Sequence, residues 1–205
     1  MFALVEAAGW PIWFLILASV IAVGLIVERL VFLRSQRISP PALLNEVGKE
    51  LKLRGVSDGM LAKLAASSPL GRIFAAGLKN LNGSHEVLRE SIEEAGRSVR
   101  RDMERFLTSL GTIASISPLL GLFGTVVGMI EIFGSQAPGG TNPQQLAHGI
   151  SIALYNTAAG IAISIPSLIF YRHFKNKVDG FVVQMEQAAS KLIDIVHGER
   201  TEVGR

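Results

Sequence analysis

The chain contains no cysteine. Disulfide staples, thiolate metal sites and cysteine nucleophiles are thereby excluded, while the compartment stays open. Charge is scarce as well. Only 18% of the 205 residues are Asp, Glu, Lys or Arg, against about a quarter in soluble domains. The places where charge is missing are more informative than the total. Residues 1–28 hold no Lys or Arg, and residues 106–171 hold none either, with Glu131 as their only acid. Chemistry-bearing motifs are missing too. No pair of histidines or carboxylates has metal-ligand spacing. There is no phosphate-binding glycine loop, Ser/His/Asp set or HExxH. No enzymatic activity, cofactor or metal is expected. Nucleic-acid binding is a poor fit, because no basic surface interleaved with aromatics stands outside two basic blocks.

What is present is apolar. Hydrophobic side chains make up 49% of the chain, and the mean hydropathy is +0.39. Membrane insertion is the simplest explanation. The first apolar run covers about Trp10 to Phe32, the second Phe106 to Gly134 and the third Leu146 to Tyr171. A helix crosses the hydrocarbon core with about 20 residues. Trp10 and Trp13 stand where an interfacial aromatic belt belongs. A cleaved leader would need a basic segment ahead of the first run. Met1 to Gly9 holds no base, so that run is expected to be retained as a span.

Fourteen of the twenty Lys and Arg lie between Arg29 and Arg105, and the other six between Arg172 and Arg205. Basic clusters flanking apolar runs mark cytoplasmic ends. The expected topology is therefore an outside N-terminus (1–9), a first span (10–33), a cytoplasmic helical segment (34–105), a second span (106–134), an outer loop (135–145), a third span (146–171) and a cytoplasmic C-terminal helix and tail (172–205). The fold class is all-α integral membrane protein, with the second and third helices extended into the cytoplasm. Within the inner segment, Pro40-Pro41 opens a helix from Ala42 to Arg54, which Gly55 breaks. Ser57-Asp58-Gly59 starts another. Ser68-Pro69 begins Leu70 to Leu81, Asn82-Gly83 is a turn, and Ser84 caps a helix expected to run straight into the second span. Acids and bases alternate from Lys79 to Arg105, as on a solvated helix face. Outside, Asn142-Pro143 is a good N-cap and N1 pair for the third helix.

Ser117, Gly121, Gly124, Gly128, Glu131 and Ser135 recur at helical spacing and make one small or polar seam. Ala153, Thr157, Gly160, Ser164 and Ser167 make another on the third span. Small residues let helix backbones approach closely in lipid, so Gly121, Gly124, Gly128 and Gly160 are expected to serve packing. Thr125 flanks the first seam. A membrane threonine commonly bonds only to its own helix. An acid in a span costs about 3 kcal/mol at mid-membrane and less near the interface, so Glu131, near the outer end, is expected at a solvated rim. His148 begins the third span beside the outer loop and reads as interfacial. A single chain would leave its seams facing lipid or each other. Several copies in a ring would turn them toward a shared axis, which favours a homo-oligomer.

Gly121-Leu122-Phe123-Gly124-Thr125-Val126-Val127-Gly128-Met129-Ile130 resembles the second-span motif of the ExbB/TolQ/MotA proton-channel family. The segment from Gly149 to Gly160, with Ile165-Pro166-Ser167 and Tyr171, resembles its third-span motif. The resemblance covers the whole chain in span order and orientation. It implies a homopentamer of long helices in the bacterial inner membrane, surrounding the single spans of two copies of an ExbD-type protein. An aspartate on that partner would carry the proton. Its motion would pass to a TonB-type protein that opens outer-membrane transporters. Thr125 and Thr157 match the family's pore-lining threonines. The ion-pathway set is then Thr125, Thr157, Glu131, Asn156 and Ser164. Many members have a glutamate where this chain has Ile152. Either Glu131 compensates from the other helix, or the partner alone supplies the proton carrier. The TolQ role in envelope constriction is the sibling alternative, and the length argues against the flagellar branch. Outside the family, a channel that conducts without a partner and a passive scaffold are the competing readings.

Overall fold

The computed structural model describes residues 9–81, 83–134 and 143–203. Among them are eight helices and no strand: α1 (Ile12–Phe32), α2 (Ser35–Ile38), α3 (Leu43–Arg54), α4 (Asp58–Ser67), α5 (Pro69–Lys79), α6 (His85–Glu104), α7 (Leu107–Gly134) and α8 (Pro143–Val203). Three stretches are long and apolar enough to cross a membrane, in Ile12–Phe32, His85–Gly134 and Leu146–Val196. The described residues fall into two compact units. One draws on Met1–Arg29 and Phe106–His173, the other on Leu30–Arg105 and Phe174–Arg205.

The first unit combines α1, α7 and the first part of α8. Its α1 buries only Ile12, Leu15, Ala22 and Arg29, a narrow stripe on one face. Trp13, Leu17, Val20, Val23 and Val27 are more than half exposed. A soluble protein with so much apolar surface would aggregate, whereas lipid is its natural solvent. Trp10 meets Phe14 and Phe123 edge-on, each at 5.9 Å between ring centres. Arg29, at the other end of α1, is buried. Its charge is met by Glu28 at 2.6 Å, and its guanidinium lies 4.9 Å from the centre of the Phe106 ring. The carboxylate offsets the cost of burying this cation, and the π-face adds to that offset.

The second unit packs α2 to α6 against the last part of α8. Phe174, Val178, Phe181, Met185, Ala189, Leu192 and Val196 are buried at spacings of three or four, the signature of one apolar helix face. Phe74, Leu78, Leu88, Val99 and Met103 are buried as well. Serines open three of the helices. Ser57 accepts from the Met60 N–H, Ser68 from Gly71 and Ser84 from Val87. Each cap satisfies a backbone donor that the first turn leaves open. Gly55 closes α3 at φ 68°, a conformation that a Cβ disfavours. Arg100 donates to Glu104 and to Asp179, both at 3.0 Å. The Glu104 hydrogen bond and charge, helped by Asp179 and Glu186, raise its pKa above the ordinary value.

Several boundaries differ from the sequence reading. A short helix, α2, opens the inner segment expected to be helical throughout, ahead of the start marked at Pro40-Pro41. Helix α3 begins at Leu43, although Ala42 already has helical φ and ψ. Helix α5 stops at Lys79 because the Asn80 N–H turns back to Gly77 and Leu78. The helix capped by Ser84 does not run unbroken into the second span. It is interrupted at Arg105-Phe106, with Arg105 still at φ −45° and ψ −46°. Helix α8 starts at Pro143, the residue read as its first helical position although the third span itself was counted from Leu146, and continues past Tyr171 to Val203. The outer-loop residues 135–142, including Ser135 and the Asn142 cap, and Asn82 of the expected turn lie outside the described residues.

Candidate functional site

Within the first unit, α7 and α8 run antiparallel and meet along their two small-residue seams. Added Cβ atoms locate the contact. One on Gly128 would lie 3.2 Å from the Ala153 Cβ, and one on Gly124 would lie 2.8 Å from the Asn156 Cβ. On Gly121 it would lie 2.6 Å from the Asn156 carbonyl oxygen and 2.9 Å from the Thr157 Cα. On Gly160 it would strike the Ser117 carbonyl oxygen. Farther along, a Cβ on Gly111 would lie 3.0 Å from the Tyr171 ring, and one on Gly149 would lie 2.7 Å from the end of the Ile132 side chain. At Gly121 and Gly160 the nearest atoms are backbone, so these two glycines let backbone lie on backbone, whereas at the others the nearest neighbour is a side chain. Where the two seams meet, Ser117, Gly121, Gly124, Ala153 and Gly160 are buried within one chain, while Thr125, Gly128, Thr157 and Ser164 stay half-buried and Glu131 exposed.

At the middle of this contact stand two hydroxyls. Thr125 Oγ1 lies 2.6 Å from Thr157 Oγ1, 3.1 Å from the Ala153 carbonyl oxygen and 3.2 Å from the Gly121 carbonyl oxygen. A hydroxyl has one proton to give, and a carbonyl can only accept. The contacts are best met when Thr125 donates to a carbonyl and Thr157 donates to Thr125. Thr157 then keeps lone pairs that can accept from a group outside the helix pair. Both threonines are half-buried, so the pair is at the edge of the contact and not sealed in it.

The remaining candidates occupy different surroundings. Asn156 is 1% exposed and packs on Gly121 and Gly124, inside the helix pair. Glu131 is exposed. It lines a cavity of about 240 Å³ together with Gly128, Gly149, Ile152 and Asn156. Ile152 and Glu131 thus border the same space from neighbouring helices. Ser164 is half-buried, and its hydroxyl donates across the pair to the Ala114 carbonyl. Sequence reasoning did not anticipate that bond, the Ala153 carbonyl beside Thr125, or the Tyr171 ring on Gly111. A signal for the first was present: Pro118 stands four residues after Ala114, where its missing N–H leaves that carbonyl open.

Comparison with known proteins gives a consistent picture. The sequence model of the MotA/TolQ/ExbB proton channel family matches residues 65–187. An ExbB-like protein of Synechocystis sp. is 35% identical over 164 residues, covering 77% of each chain. The biopolymer transport protein ExbB of Salmonella typhimurium is 28% identical over 188 residues, 87% of this chain and 77% of that one. The protein of the same description from Pseudomonas putida is 30% identical over 141 residues, 68% of this chain but only 43% of its own length.

Proposed function

The chain belongs to the MotA/TolQ/ExbB proton channel family, and from that premise we propose that it is the stator subunit of an inner-membrane motor driven by the proton-motive force. In this proposal it forms a homopentamer around an ExbD-type partner and energises TonB-dependent transport across an outer membrane. It is no enzyme. Its N-terminus is periplasmic and its C-terminus cytoplasmic, with the second and third helices extending inward. The distribution of Lys and Arg supports that orientation.

The observation that carries the proposal is the Thr125–Thr157 pair, 2.6 Å apart on two helices that glycines bring into backbone contact. In a dry pore, a polar group is tolerated only if it has partners. These hydroxyls have them already, yet Thr157 retains acceptor capacity toward the open side. Such an oxygen can receive a hydrogen bond from a protonated carboxyl on the partner's span, or from a water. It holds the neutral form of that carboxyl in the membrane while contributing no fixed charge. Proton transfer then rests on the partner's acid, and this chain supplies the track along which it is presented. Relatives described as biopolymer transport proteins favour the transport role over envelope constriction.

The test is purification of the chain alone and with a co-expressed single-span partner, followed by native mass measurement. The proposal expects a homo-oligomer that takes up two partner copies and then supports energised uptake. A monomer that conducts protons in vesicles without any partner would overturn it.

A further inference from the structure

Serines and threonines in the two paired helices mostly bond to their own helix. Thr112 donates to the Thr108 carbonyl, Ser115 to Gly111, Ser117 to Ile113, Ser151 to Ala147 and Ser167 to Ile163. This back-bonding to a carbonyl four residues earlier is the usual fate of a hydroxyl on a helix. Ser164 does otherwise. Its hydroxyl leaves α8 and donates to the carbonyl of Ala114 on α7.

The reason lies at Pro118. A residue there with an N–H would donate to the Ala114 carbonyl, and proline cannot. In a membrane no water replaces the missing donor, and a neighbouring hydroxyl is one of the few groups that can. Ala114 is buried, so the open acceptor and the hydroxyl face each other in the same contact.

The placement of this bond relative to the threonines is regular. Ser164 stands roughly two turns from Thr157 along α8, and Ala114 roughly three turns from Thr125 along α7. Both intervals return to nearly the same helix face. The Ser164–Ala114 and Thr157–Thr125 bonds thus lie on one seam, with the Gly160–Ser117 and Gly121–Thr157 backbone contacts between them. Glycine contacts set how close the helices come, but a smooth face does not set their register. A slip by one residue, about 1.5 Å along the axis, would break both hydrogen bonds.

We propose that Pro118 and Ser164 form a register lock between the second and third spans, in which the Ser164 hydroxyl takes the carbonyl that Pro118 leaves open and thereby holds Thr157 against Thr125. Ser164 is a positioning residue of the ion pathway and does not itself line it. This rests on the threonine pair being the working element of the proposed function.

Because the chain has no cysteine, the full-length protein with Thr125→Cys and Thr157→Cys gives a direct readout of register. Oxidation in native membranes should form the intrachain disulfide quickly, and Ser164→Ala should slow its formation by about fivefold or more, the loss of one hydrogen bond to an otherwise open carbonyl. Ser164→Ala should also lower the melting temperature. Adding Pro118→Ala restores an intrahelical donor, so it should recover the melting temperature and leave the cross-linking slow. An unchanged cross-linking rate in Ser164→Ala overturns the lock. Recovery of both quantities by Pro118→Ala also overturns it, since Ser164 would then only satisfy the carbonyl. Energised uptake with threonines in place separates the two levels. Slow cross-linking with undiminished uptake in Ser164→Ala leaves the lock standing and sinks the pathway assignment. Slow cross-linking with reduced uptake supports both.

Discussion

Replacing Gly121 by alanine tests the backbone contact on which the site depends. The new Cβ would lie 2.6 Å from the Asn156 carbonyl oxygen, where ordinary contact begins at 3.4 Å. Its second neighbour, the Thr157 Cα at 2.9 Å, is also backbone, so no side chain can swing aside. The helices must separate locally by about 0.8 Å. The Thr125–Thr157 contact, one turn away at 2.6 Å, would open to about the same 3.4 Å, beyond the 2.5–3.0 Å typical of O–H···O bonds. Overpacking of this kind costs about 1–3 kcal/mol. Alanine returns up to about 1 kcal/mol through its better helix propensity. The net loss of stability is therefore small, about 0–2 kcal/mol, while the hydroxyl pair is lost. Gly121→Ala should assemble with its partner, melt slightly earlier and lose most energised uptake. Gly96→Ala is the control, since nothing lies within 4 Å of its added Cβ. It should be neutral or gain up to about 1 kcal/mol. Parental uptake in Gly121→Ala would show that the helices accommodate the methyl group without moving the threonines, and the geometric reasoning would fail.

Thr125→Val and Thr157→Val keep the side-chain shape and remove the hydroxyl. Each should assemble normally and lose most energised uptake, with about 1–3 kcal/mol lost where a buried partner is stranded, and the double change should abolish uptake. Thr→Ser at either site should be mild, and valine variants as active as the parent would make the threonines packing residues. Glu131→Gln should retain a substantial fraction of uptake, because the carboxylate is exposed; complete loss with normal assembly would make it a proton site. Reporter fusions after Arg205 should be cytoplasmic and those between Pro138 and Thr141 periplasmic, and the opposite labelling would invert the topology.

The three spans were legible because each is a long run with its charges collected at the ends, a signal that no packing detail disturbs. The caps at Ser57, Ser68 and Ser84 were equally plain, since each needs only its own side chain and the next turn. The interruption at Arg105-Phe106 was not, because Arg105 keeps helical angles and neither residue is a breaker. The seams could be read from spacing, but not what covers them. Small residues announce close approach without naming the neighbour, so lipid, the other seam and a shared axis between copies all stayed open. In this chain the seams pack on each other, with Thr125, Thr157 and Ser164 half-buried and Glu131 exposed. Asn156 was grouped with the ion-pathway residues as a polar side chain beside Thr157 that could face a neighbouring helix. Its enclosure against Gly121 and Gly124 depends on the register of two helices, which hydropathy does not encode. Ser164 illustrates the same limit. The proline that leaves its acceptor open is visible in the sequence, but the serine that answers it stands on another helix.

Back-bonded hydroxyls have a consequence for biogenesis. A nascent helix must leave the translocon for lipid before it finds its neighbour, and each bare hydroxyl raises the cost of that exit. Thr112, Ser115, Ser117, Ser151 and Ser167 arrive with their protons already given to their own helix. Thr125 has the Gly121 carbonyl within reach before docking. Both spans can therefore partition as if nearly apolar and pair only afterwards. The Ala114 carbonyl stays bare until they meet, so its capture by Ser164 favours docking over remaining apart in the bilayer.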